Sequence, residues 1–130
     1  PESPFVLHLA NVMHLATDVT GALIESKQRV DAFSLLQSLH PSAAVCGTPR
    51  NIAFDIITEV EGMNRGRYAG PVGWIDASGD GELGIALRSG QITDREIRIF
   101  AGCGIVAGSN PEKELEESNA KMIAMRSALH

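Results

Sequence analysis

The residues best suited to chemistry lie near the end of this sequence. Gly102-Cys103-Gly104 follows the apolar Phe100-Ala101, and no bulky side chain shields the backbone at its two glycines. Glu114, Glu117 and Lys121 come next. Carboxylate oxygens can hold a divalent cation, and an ammonium attracts an anion. The combination suits a divalent cation holding a small anionic molecule. Arg88 is a further cation, and its neighbours Gly84 and Ala86 are small enough to leave room beside it. Each feature also has an ordinary reading. Arg88 can be a surface arginine on a solvated sheet. Glu117 and Lys121 can be an i, i+4 helix pair contributing a few tenths of a kcal/mol.

These residues need elements to position them. Asn110 followed by Pro111 is a strong helix start, because Asn caps free N–H groups and Pro fits the first helical position. In that helix Leu115, Met122, Met125 and Leu129 are expected to form the buried stripe, with Glu114, Glu117 and Lys121 bordering it. Upstream, the pattern predicts strands over 72–77, 82–89 and 96–101, the first two joined at Ser78-Gly79-Asp80-Gly81. In the second strand Leu83, Ile85 and Leu87 share one face, and Gly84, Ala86 and Arg88 the other. A helix over 32–39 is capped by Asp31 and stops before Pro41. Another starts at Thr48 with Pro49 as its first residue, carries an Ala53, Ile56, Ile57 and Val60 stripe, and stops at Gly62. Residues 5–16 read as extended, with His14 on the face of Val12 and Ala16.

The 130 residues are enough for one domain, and 44% hydrophobic with 21% charged residues is ordinary for a soluble globular protein. A net charge of −5 and dispersed basic pairs argue against nucleic acid as a partner. No apolar run is long enough to span a bilayer, so no membrane partner is expected. Cys46 and Cys103 fit neither a disulfide framework nor a zinc spacing, which makes a reduced, cytoplasmic setting the default. Pro1 is not a natural start, so residues upstream are expected to be missing.

Seven motifs in order resemble the C-terminal part of the chorismate-utilising enzymes: isochorismate synthase, salicylate synthase and anthranilate synthase component I. They are Met13-His14-Leu15-Ala16-Thr17, His40-Pro41-Ser42-Ala43-Ala44-Val45-Cys46-Gly47-Thr48-Pro49, Tyr68-Ala69-Gly70-Pro71-Val72-Gly73-Trp74, Gly79-Asp80-Gly81-Glu82, Ala86-Leu87-Arg88, Gly102-Cys103-Gly104-Ile105, and the acidic stretch from Glu114 to Lys121. Each is weak alone, and their order and gaps give them weight. The wording is most similar to isochorismate synthases, with salicylate synthase and anthranilate synthase component I as alternatives. Cys103 stands where many relatives have alanine, and Ser42-Ala43 replaces a common Thr-Pro pair.

The resemblance implies an α+β fold, mainly antiparallel sheet with outer helices, in which 1–130 is the C-terminal portion of a larger chorismate-binding sandwich. It implies Mg2+ as cofactor, held by Glu117 with Glu114, and chorismate as substrate. Arg88 and Lys121 would hold substrate carboxylates, Tyr68, Ala44 and Val45 would line the pocket, and the backbone at Gly102 and Gly104 would approach the ligand. His14 is expected near the substrate ring, although a lone histidine on an apolar strand is more often structural. The alanine at 44, where some relatives carry threonine, is compatible with simple isomerisation. The general-base lysine, the general-acid glutamate and another metal carboxylate would lie upstream of Pro1, so the isolated 130 residues are expected to be inactive. Sheet edges left open would pair with the upstream portion or with another copy. A competing reading takes Gly102-x-Gly104-x-x-x-Gly108 as a nucleotide loop, but Ser109-Asn110-Pro111 delays the helix beyond the glycines that would need it close.

Overall fold

The computed structural model describes residues 3–8, 13–24 and 30–129. It divides into two units, Pro1–Val30 and Asp31–His130. The first contains an antiparallel pair, β1 (Phe5–His8) and β2 (Met13–Ala16), with Phe5 opposite Ala16 and Leu7 opposite His14. Val12, which shares the expected face of His14, lies outside the described residues.

The second unit opens with α1 (Ala32–Leu39). Asp31 Oδ1 accepts the Ser34 N–H at 2.8 Å, and His40 is the last residue to donate into the helix before Pro41. One further turn, α2 (Ala43–Cys46), ends at Gly47, whose φ of 74° is a left-handed value open to glycine. A Cβ at Gly47 would also lie 2.9 Å from that of Ala53, so glycine lets α2 meet the next helix. That helix, α3, spans Arg50–Val60. It begins one residue later than the Pro signal predicts. Pro fixes φ but not ψ, and at ψ 137° Pro49 is still extended while its carbonyl accepts the first helical bond, from Ala53 N. Of the expected stripe, Ala53 and Ile57 face inward, whereas Val60 is 74% exposed.

Three antiparallel strand pairs, two of them in this unit, stand with the helices as an α+β chain, as expected. β3 (Pro71–Ile75) pairs with β4 (Gly81–Ile85), with Ile75 opposite Gly81. Asp76 closes the turn, its Oδ1 accepting from Ser78 N at 2.8 Å and Asp80 N at 3.0 Å. The expected strand over 82–89 is in fact two elements. Leu87 N donates to Ile85 O at 2.7 Å, a three-residue turn, and Arg88 adopts a left-handed φ of 48°. Leu87 and Arg88 therefore do not continue the two faces of β4. The chain restarts as β5 (Ser89–Thr93), which pairs with β6 (Glu96–Phe100), Ser89 opposite Phe100.

The last helix, α4 (Pro111–Ser127), starts as its cap predicts, with Asn110 Oδ1 accepting from Lys113 N at 3.0 Å. Its inner face differs from the expected stripe. Met122 and Met125 are partly buried, but Leu115 is 63% exposed and Leu129 is exposed too. The turns before Met122 turn inward through Glu114, Ser118 and Lys121 instead. Among the described residues the buried apolar side chains are Cys46, Ala69 and Phe100.

Candidate active site

The start of α4 and the segment after β6 meet through polar bonds. Lys121 Nζ donates to the Gly102 carbonyl at 3.1 Å and pairs with Glu117 Oε1 at 2.5 Å. The lysine side chain is only 18% exposed, against 53% for Glu117. One turn earlier, Cys103 Sγ donates to the Glu114 carbonyl and Ser118 Oγ donates to Cys103 Sγ, both at 3.4 Å. Hydrogen bonds from Ser109, and then from the Cys103 thiol, hold the Glu114 carboxyl below its ordinary pKa, so it is ionised at neutral pH.

Tyr68 completes this cluster from another part of the chain. Its ring stacks on Phe100 with centroids 5.1 Å apart and planes 10° apart. A Cβ built on Gly102 would come within 3.0 Å of its hydroxyl oxygen, so that glycine makes room for the phenol. Nothing comes that close at Gly104, where a Cβ would meet open space. Burial pushes the Tyr68 phenol up, and the positive charge of Arg65 opposes the shift. Arg65 stands 5.7 Å over the ring and donates to Val45 O at 2.8 Å, which ties Val45, and Ala44 beside it, to Tyr68.

Arg88 reaches the same neighbourhood through its backbone. Ser89 pairs with Phe100, so Arg88 stands beside the end of β6 where the glycine segment begins. Arg88 has a partner within the chain. The structure thus brings Tyr68, Gly102, Glu114, Glu117 and Lys121 into one cluster, with Val45 linked through Arg65. His14 belongs to the first unit, on β2. A cavity of about 460 Å3 adjoins Val45, Arg65 and Tyr68, yet Gly102, Glu114, Glu117 and Lys121 are not in its walls. Volume and charge do not coincide. The charged cluster is the better candidate site, because its two carboxylates and its ammonium lie beside the Gly102 backbone, whereas the charges in the cavity wall, Arg65 and Glu61, are joined to each other.

A model of the family described as chorismate-binding enzymes matches residues 1–130. The chain belongs to that family. Two of its relatives are isochorismate synthases of Bacillus subtilis. MenF is 45% identical over 99% of the chain and 27% of its own length, and DhbC is 41% identical over 99% of the chain and 32% of its own. A crystal structure from Bacillus anthracis, assigned as the 2,3-dihydroxybenzoate-specific isochorismate synthase DhbC, superimposes with a TM-score of 0.90 at 40% identity. It shares 99% of this chain and 34% of its own. The chain thus spans about a third or less of the relatives it matches.

The donor set can be tested against the Mg2+ that this family resemblance implies. Among the described residues no three His, Cys, Asp or Glu side chains gather at one point. Glu114 and Glu117 are three apart on α4 and so lie on neighbouring positions of its surface. Mg2+ is usually bound by one or two carboxylates, with water and substrate oxygens as its other ligands. The pair fits that protein share.

Sequence reasoning missed four contributors: Arg65, Phe100, Ser109 and Ser118. Arg65 reads only as a basic neighbour of Arg67, although Glu61 four residues earlier is a signal for an ion pair. Ser118 lies one turn after Glu114, on the same helix face, which differs from the face marked by the apolar spacing through Leu115.

Proposed function

We propose that this chain forms the substrate-holding portion of an isochorismate synthase, which converts chorismate to isochorismate. The observation that carries this reading is the bonding of Lys121 to both Gly102 and Glu117, beside the Tyr68 hydroxyl. It fixes an ammonium between a carboxylate and an open backbone segment. Chorismate is a diacid, so it needs cations at two places. Lys121 holds one carboxylate and Arg88 the other, where a charge-assisted hydrogen bond contributes about 1.5–3 kcal/mol.

Glu117 and Glu114 would hold Mg2+, whose charge would screen the ring carboxylate of the bound substrate. Tyr68 and the Ala44–Val45 turn shape the wall, and His14 is assigned to the ring side by the family resemblance. In the reaction a water oxygen bonds to C2 and gives its proton to a base, while the C4–O bond breaks. The departing hydroxyl takes a proton from an acid, so one water enters and one leaves. The resemblance puts that base, a lysine, and that acid, a glutamate, outside these residues.

The test uses the complete enzyme with chorismate and Mg2+. Isochorismate as the sole product is the expected result, and salicylate with pyruvate would favour the salicylate synthase reading instead. Glu117→Gln should raise the Mg2+ concentration for half-maximal activity by more than the roughly 10–100-fold typical of outer-shell partners. An unchanged Mg2+ dependence would remove Glu117 from the metal site.

A further inference from the structure

Arg65 is joined to three separate parts of the second unit. Its Nη1 donates to the Val45 carbonyl at 2.8 Å. Val45 is in the single turn of α2, whose last carbonyls have no intrahelical partner, and a guanidinium at a helix C-terminus satisfies one of them. Nε donates to Glu61 Oε2 at 2.8 Å while Nη2 pairs with the other oxygen, a two-point fork at the end of α3. The guanidinium carbon lies 5.7 Å above the Tyr68 ring, within cation–π range. The Arg65 carbonyl also accepts the Tyr68 N–H at 2.9 Å, so the same residue fixes the backbone turn that presents the ring. From Tyr68 the contact runs on to Phe100 and to the space over Gly102.

We propose that Arg65 is a positioning residue for the chorismate site, setting the separation between the Ala44–Val45 turn and the Tyr68 ring by holding both with one guanidinium. The proposal rests on the isochorismate synthase reading for its substrate, but not for its geometry. Glu61 holds the group by two points, so it cannot swing away from Val45 without breaking the fork. Lysine has a compact point charge and no planar fork, so it cannot reproduce the two-point grip on Glu61 and at the same time reach Val45 and cover the ring as a flat guanidinium does. Among the described residues Arg65 bonds to Glu61 and Val45 and not to Lys121 or Glu117, so its effect on substrate passes through the two walls.

The experiment uses the complete enzyme with Arg65→Met, Arg65→Lys and Glu61→Gln, and reads two quantities. The first is amide hydrogen exchange over residues 43–47. Arg65→Met should speed it by about tenfold or more, as expected for a lost charge-assisted hydrogen bond. The second is chorismate kinetics, where KM should rise about tenfold for Arg65→Met and less for Arg65→Lys and Glu61→Gln, with kcat changing less than KM. A folded Arg65→Met enzyme with unchanged exchange and KM would overturn the proposal. So would a lowered melting temperature with KM unchanged, which marks a purely structural tie. If Arg65→Met does not fold, unchanged KM in both milder variants overturns it equally. A wild-type enzyme that makes no isochorismate defeats the functional reading, and the exchange measurement then still decides the positioning.

Discussion

At the scale of single residues, Tyr68 joins the site to the stability of the fold. Burial raises its pKa, so the folded state favours the neutral phenol more than the unfolded chain does. The sign follows directly. A group whose folded pKa is raised contributes fully below its unfolded value, near 10 for tyrosine, and that contribution is lost as pH rises through the folded value. The melting temperature should therefore fall more steeply between about pH 9 and pH 11 in the wild type than in Tyr68→Phe, where nothing ionises at that position. Parallel melting curves over that range would show that the phenol is not held neutral by burial. Arg65 works in the opposite direction, since its charge favours the phenolate. Arg65→Met should then push the ionisation of Tyr68 higher still.

At the scale of elements, the caps decide what was legible in advance. Asp31 and Asn110 act through bonds to residues three positions on, and both bonds are present. Such local chemistry can be read from sequence because it needs no distant partner. Asn110→Ala should accordingly cost about 1 kcal/mol. It should also speed exchange at the Lys113 amide, whose acceptor it removes, and loosen the turn that carries Glu114. Equal exchange in the two proteins would mean that the cap is not a local anchor of α4. The strand over 82–89 failed for the converse reason. Nothing in the sequence marks Arg88 for a left-handed φ, a conformation that side chains other than glycine rarely adopt. The inner face of α4 also departs from its apolar pattern. Apolar periodicity favours Leu115, whereas the Ser118 and Lys121 side chains are turned inward by bonding to Cys103 and Gly102, and the Glu114 carbonyl accepts from Cys103 on the same face. Arg65 could not be read at all as a link to Val45, because the two are 20 positions apart and no local pattern pairs them.

At the scale of the whole molecule, the described residues bury little. Phe100 is the one large side chain among the buried apolar residues, while Phe33, Val72 and Trp74 are each more than half exposed. Ordinary cores place several such residues out of water, each contributing about 1.5–3 kcal/mol. The same exposed faces superimpose closely on part of a chain about three times as long. A polypeptide limited to these 130 residues should therefore lack a sharp unfolding transition, bind a hydrophobic dye such as ANS, and fail to turn over chorismate. Calorimetry with a dye-binding assay checks the first two, and product chromatography the third. The dye arm carries the physical content, since a loosely packed chain exposes apolar surface whatever its chemistry. A cooperative transition without dye binding would show that the exposed faces of β3 and α1 need no cover, and that these residues pack into a native state by themselves.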